Sequence, residues 1–166
     1  MALALVVALF SVQCTKDDAG APALPTSIDE HFQSGSYTYD NITIPYRDGA
    51  TLASTSGKVP LVVVLHGQYG SGSDNKAQLR SDAMIRIWHY FTSNNVKAVV
   101  LAPQCSTRRA WDETKEDVDK ATTMTEALKA LIDHYVANNT NVDPSRIYII
   151  GYSDGPQPAG AGGVWH

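Results

Sequence analysis

Five consecutive residues, Gly151-Tyr152-Ser153-Asp154-Gly155, carry the sharpest chemical signal in the chain. They follow directly on Arg146 to Ile150 (RIYII), an apolar and β-branched run of the kind that forms a buried strand. A serine at this spacing after a strand can sit on a strained strand-to-helix turn. Small residues two positions to either side let the backbone pass closely, and the hydroxyl is left exposed at the end of the sheet. Ser153 is therefore a candidate nucleophile, supported by Gly151 and Gly155. The bland alternative is an ordinary glycine-rich turn with a surface serine; the strand in front of the motif favours the first reading.

Attack by a serine on an acyl carbon puts a negative charge on the former carbonyl oxygen, and two preorganised backbone N–H groups are needed to stabilise it. One comes from the residue after the nucleophile, here Asp154. The other comes from an earlier strand-to-helix loop. His66-Gly67-Gln68 ends the continuous apolar run Leu61-Val62-Val63-Val64-Leu65 and offers the amide of Gln68. The side chain of His66 reads as structural, holding the loop by hydrogen bonds, and Gly67 reads as loop support.

The elements that must position these groups are legible in outline. Ser36 to Pro45 (SYTYDNITIP) alternates as a half-buried strand, and Arg47 to Ala50 reads as a turn. Leu61 to Leu65 suits a strand covered on both faces, the habit of parallel sheets. Gln68 to Asn75 is a glycine- and serine-rich loop. A helix is expected from Lys76, with Leu79, Ala83, Ile87, Trp88 and Phe91 at helical spacing and Asp74 or Asn75 as its cap. Val96 to Leu101 is the next strand. Asp117 to Val136 is a second helix with an apolar face of Ala121, Met124, Leu128, Leu131, Ile132 and Tyr135, and the turn Asn141 to Ser145 leads into the strand before Ser153. Strands alternating with helices predict an α/β sandwich with a mostly parallel sheet.

Composition narrows the function. The 166 residues fit a single domain. A formal net charge of −4 gives no excess of cations to collect phosphates, so nucleic acid is not an expected partner. Two cysteines, Cys14 and Cys105, are too few for a disulfide framework or a cysteine-based zinc site. No histidine pair has zincin spacing, so no metal is expected, and no cofactor is expected either. Gly67 to Gly72 has the gap of a phosphate-binding loop, but Ser73 stands where lysine is required; Gly70-Ser71-Gly72 lacks the third glycine of a dinucleotide fingerprint, with Asn75 in its place.

The N-terminus reads as a processing segment. Ala2 to Phe10 is apolar and uncharged, too short to span a bilayer and fitting a signal-peptide core. Ser11-Val12-Gln13-Cys14 followed by Thr15-Lys16-Asp17-Asp18 resembles a bacterial lipoprotein start. Residues 1–13 are thus expected to be a leader, Cys14 a lipidation site, 14–35 a tether and 36–166 the folded part. The resemblance implies export, to the periplasm or to a membrane surface through a lipid on Cys14. A buried first element containing a cysteine is the alternative.

Leu61 to Asn75 (LVVVLHGQYGSGSDN), Leu101-Ala102-Pro103-Gln104-Cys105, Trp111 and Val142 to Gly155 (VDPSRIYIIGYSDG) together resemble the α/β-hydrolases grouped as dienelactone-hydrolase-like esterases and predicted peptidases, relatives of polyhydroxybutyrate depolymerases and feruloyl esterases. The resemblance covers Ser36 to Gly155. It implies a carboxylesterase-like serine hydrolase with Ser153 as nucleophile, Gln68 and Asp154 as oxyanion donors, and the loop from Cys105 to Trp111 beside the substrate pocket. A small-molecule or polymer-derived ester is the implied substrate.

Two departures qualify that expectation. Pro156 to Gly160 looks like an insertion where the helix after the nucleophile should begin, and its prolines and glycines oppose a regular helix. In α/β-hydrolases the triad runs Ser, then Asp or Glu, then His, yet after Ser153 the chain has only Asp154 and the terminal His166. His31, His66, His89 and His134 all precede the serine. No triad acid or base is placed. The expectation is a partial α/β-hydrolase sandwich, C-terminally truncated at the nucleophile elbow, with little or no hydrolysis of its own. The rival is a catalytically inactive fragment or binding remnant of the same fold. An unpaired apolar edge at Arg146 to Ile150 is expected to make it oligomeric or poorly soluble.

Overall fold

The computed structural model describes residues 24–51, 57–106, 111 and 122–152. They form one five-stranded sheet with a helix packed on each face. In chain order the elements are β1 (Gln33–Tyr39), β2 (Ile42–Ala50), β3 (Val59–Leu65), α1 (Asp82–Ser93), β4 (Val99–Pro103), α2 (Met124–Asn138) and β5 (Val142–Gly151). The sheet order is β1-β2-β4-β3-β5.

Side chains of successive strand residues point to opposite faces, and β3 and β4 use this alternation to feed two cores. Leu61, Val63, Val99 and Leu101 join Met124, Ala127, Leu128, Leu131, Ile132 and Tyr135 of α2. Val62, Val64, Val100 and Ala102 join Met84, Ile85 and Trp88 of α1. Both strands are consequently buried on both faces, as the unbroken apolar run in β3 requires. The parallel part of the sheet is β4-β3-β5. To it β2 adds antiparallel against β4, and β1 antiparallel against β2. The architecture is a partial α/β sandwich on a mixed sheet.

The hairpin is where the structure departs most from local sequence signals. Ser36 to Pro45 is not one strand: the chain reverses at Asp40-Asn41, with Asp40 in the left-handed region at φ 54°, a conformation that Asp tolerates better than most residues. Arg47 to Ala50 is not a turn but the second half of β2, paired to β4 throughout and, at Arg47 and Asp48, to β1 as well. This pairing overrides the turn-forming Asp48-Gly49. Gly49 has its own reason to be there, because a Cβ at that position would lie 2.6 Å from the carbonyl oxygen of His31. The segment before β1 is also packed, with Ile28 and Phe32 buried in the α1 layer. Arg47 holds it by donating from Nη2 to the carbonyls of Asp29 (2.8 Å) and Phe32 (2.9 Å). Ordered packing therefore starts upstream of Ser36, inside the stretch expected to be a tether.

Both helices start later than expected, each at a proper cap. Asp74 caps only a short 3-10 turn, Ala77–Leu79, by accepting from the amides of Lys76 and Ala77; α1 begins after Ser81, whose Oγ accepts from the amide of Met84 at 3.1 Å. Thr123 and Glu126 form a reciprocal capping box for α2, so that helix starts at Met124 rather than Asp117. Strand β5 begins at Val142. The turn expected over Asn141 to Ser145 is present as a bulge at the start of this strand, where the four residues of β5 between Val142 and Ile147 pass the single residue of β3 between Val59 and Leu61. The Asp143 carboxylate accepts from the Ser145 amide (3.0 Å) and Oγ (2.7 Å) and from Arg146 Nε (2.7 Å). Among the described residues β5 is one of the two edge strands, β1 being the other, and Ile147 and Tyr148 are exposed on it. No helix among the described residues is long and apolar enough to cross a membrane.

Candidate active site

The two motif-bearing strands, β3 and β5, are parallel neighbours, and their last residues, Leu65 and Gly151, are register partners. His66-Gly67-Gln68 and Tyr152 therefore leave the same end of the sheet on adjacent strands, a spacing of about 4.8 Å. Ser153, Asp154 and Gly155 themselves lie outside the described residues, as does Cys14.

Tyr152, the residue before the candidate nucleophile, packs against the α1 layer. Its hydroxyl is hydrogen-bonded to Ser81 Oγ at 2.5 Å. Ser81 is also the cap of α1, so the end of β5 is fastened to the start of that helix. Sequence reading missed this contact, which joins residues 71 positions apart.

His66 is buried. The amide of Cys105 donates to Nε2 at 3.0 Å. Nε2 therefore carries the lone pair and Nδ1 the proton, which is donated to the Gly67 carbonyl at 2.7 Å. With both ring nitrogens engaged, the imidazole serves to shape the loop. Gly67 leads into a 3-10 turn, Gln68–Gly70, closed by Gly70 N–H on the Gly67 carbonyl at 3.0 Å. Gln68 and Tyr69 are exposed on this turn, whereas Gly70 is buried beneath it. Trp111 lies edge-on to the His66 ring at 5.2 Å and donates from Nε1 to the His66 carbonyl at 3.2 Å. Its own carbonyl accepts from Thr125 Oγ1 at 3.0 Å, at the first turn of α2.

A second group of residues that sequence reading passed over holds the rest of the loop. Gln104, at the end of β4 and 1% exposed, donates from Nε2 to the Gly70 carbonyl (3.1 Å) and to Asp74 Oδ1 (2.8 Å). Its Oε1 accepts from the Asn75 amide at 2.7 Å. The Cys105 carbonyl accepts from the Gly72 amide at 2.9 Å. Asn75, at φ 53°, donates from Nδ2 to the carbonyls of Tyr46 (3.0 Å) and Gly35 (3.3 Å), and its Oδ1 accepts from Gln78. The only sequence signal was a glutamine directly after a strand-ending Pro103, in a position where an exposed residue would be the default.

The Asp74 carboxyl is held at about 2, below its ordinary 3.8, chiefly because Gln104 donates to it, then because of the amides of Ala77 and Lys76 and the charge of Arg80. A carboxyl whose folded value is depressed contributes stability at pH above its unfolded value, and that contribution is lost as pH falls through the folded value. Amide exchange in residues 67–80 is thus expected to stay slow down to about pH 4 and to accelerate between about pH 4 and 2, relative to the strands. Because Asp74 is exposed at the surface, the global melting curve is expected to respond much less. Exchange in the loop that tracks the strands through this range would refute the assignment.

Among the described residues no group of three or more His, Cys, Asp or Glu side chains is placed to hold a metal ion. His31 stacks on Trp88 and His134 on Tyr37, and His89 lies on α1 within reach of Ser93.

No family model matches the chain, and no curated protein matches it. Solved structures do. The chain is similar to a thermostable esterase at 29% identity and a TM-score of 0.59, over 76% of this chain and 35% of that one. It also matches brefeldin A esterase, a bacterial homologue of human hormone sensitive lipase, at 21% identity and a TM-score of 0.44, over 81% of this chain and 35% of the other. The chain thus spans about a third of the length of either. The class defined by this sheet, these connections and the first of these likenesses is the α/β-hydrolase fold, present in part. Within that class the relationship is to the esterases.

Proposed function

We propose that the chain is a serine hydrolase of the esterase type that acts on carboxylic esters through Ser153. In this reading Ser153 Oγ gives its proton to a general base as it attacks the ester carbonyl, the amides of Gln68 and Asp154 receive the developing oxyanion, the proton passes to the alcohol as it leaves, and water deprotonated by the same base then releases the acid from the acyl-serine; no described residue is assigned as that base. The observation that carries it is the Leu65–Gly151 register. It brings the end of the G-x-S-x-G strand beside the loop that offers the second donor. The exposed 3-10 turn at Gln68 and the half-buried Trp111 border the same end of the sheet.

The rival reading, an inactive remnant of the same fold, draws on the histidines. His66 is committed at both ring nitrogens, and His31, His89 and His134 are engaged elsewhere. A serine without a proton acceptor loses most of its nucleophilicity.

Incubation with short-chain nitrophenyl esters and with a fluorophosphonate probe separates the two. Turnover together with labelling, both abolished in Ser153→Ala, is the result expected of an ester hydrolase. Labelling at Ser153 without turnover identifies a formed elbow that lacks its base and supports the rival. Absence of labelling at Ser153 under native conditions rejects the serine reading altogether.

A further inference from the structure

We propose that Gln104 is a positioning residue for the oxyanion loop: its buried carboxamide, fixed at the end of β4, sets the path of Gly67 to Asn75 and with it the place of the Gln68 amide. This rests on the serine-hydrolase reading above and adds to it a residue with no part in the chemistry. The loop has a glycine at three of its first six positions, Gly67, Gly70 and Gly72, and so has little stiffness of its own. Direction must come from outside it. Gln104 supplies this at three points with one side chain, using both donor hydrogens and its acceptor: Gly70 O, Asp74 Oδ1 and Asn75 N. The backbone of the same residue is itself fixed, its amide donating to the Pro45 carbonyl at 2.8 Å. The adjoining Cys105 adds a fourth and fifth tie, through its amide to His66 and its carbonyl to the Gly72 amide.

The geometry also says what should fail when the carboxamide changes. In Gln104→Met the shape is kept while Gly70 O, Asp74 and the Asn75 amide each lose a buried partner. In Gln104→Glu the acceptor for the Asn75 amide is kept, but a carboxylate oxygen replaces the donor facing Gly70 O and Asp74. The charge-bearing variant is therefore expected to be at least as impaired as the apolar one at neutral pH.

The test measures hydrogen exchange of residues 66–75, fluorophosphonate labelling of Ser153 and thermal melting on the full chain. Leu131→Ala, a core change in the α2 layer, serves as a control for loss of stability alone. In both Gln104 variants loop exchange is expected to rise at least about tenfold while exchange in β3 and β4 is retained, and the labelling rate to fall about 10- to 100-fold. The control is expected to melt earlier with its labelling rate intact at temperatures where it stays folded. Faster loop exchange with an unchanged labelling rate would overturn the positioning role, and so would unchanged loop exchange. If the wild-type chain is not labelled, the serine reading fails on that result, and loop exchange alone decides whether Gln104 sets the loop's path.

Discussion

Gly70→Val is expected, on the serine-hydrolase reading proposed above, to lower the fluorophosphonate labelling rate at Ser153 by about 10²- to 10³-fold, the cost of losing one oxyanion donor, and to destabilise the chain by about 1–3 kcal/mol as an overpacked site. A Cβ at residue 70 would lie 2.5 Å from His66 Cβ, 2.6 Å from its Cγ and 2.9 Å from its Nδ1. Neither side can yield easily. The imidazole is fixed by the Gly67 carbonyl, the Cys105 amide and the edge of Trp111. Gly70 is fixed by its own amide on Gly67 and by Gln104 on its carbonyl. The 3-10 turn must therefore lift, and Gln68 lies two residues earlier in it. Denaturant melts and labelling rates measured side by side check this. A variant that melts and labels like the wild type would show that the turn gives way without moving the donor.

Leu131→Ala is expected to cost about 2–5 kcal/mol, the range for removing a fully buried leucine. Leu131 is 0% exposed on α2, in the cluster with Ile44, Leu61, Val63 and Leu101. Among the described residues α2 is the one helix covering that face of the sheet, so its loosening leaves the cavity without a second layer to collapse onto it. Leu131→Met, which nearly conserves volume, is expected to cost less than about 1.5 kcal/mol. Equilibrium unfolding in urea separates the two variants. Equal midpoints for Leu131→Ala and the wild type would mean that α2 is not held as described.

The layers of the fold were legible because burial writes itself into periodicity. The unbroken run at Leu61 to Leu65 marked a strand covered on both faces, and the helical spacing of Met124, Leu128, Leu131, Ile132 and Tyr135 marked the face that covers one of them. What was not legible depended on partners distant in sequence. Arg47 to Ala50 carries turn-forming residues and becomes strand because β4 pairs with all of it and β1 with Arg47 and Asp48. The helix expected from Lys76 stops after one turn, because Ser81 caps a new start while also meeting Tyr152. At the site, the strand in front of the G-x-S-x-G motif and the loop at His66-Gly67-Gln68 were readable from local pattern. The part played by Gln104 was not, since a lone glutamine has no periodic or motif signature and its partners Gly70, Asp74 and Asn75 lie about 30 positions earlier.

Because β4, β3 and β5 run parallel, the described loops at the candidate site leave one end of the sheet, and the described connections into β4 and β5 enter at the opposite end. That far rim carries Asn95 at φ 52° after α1, and Asn139 to Asn141 before β5, where the Asn141 carbonyl accepts from the amide of Val59. It offers a point of attachment: a fluorophore, a surface linker or a fused domain placed at the exposed Thr140 would stand at the opposite pole from the Gln68 turn and leave the approach to it open.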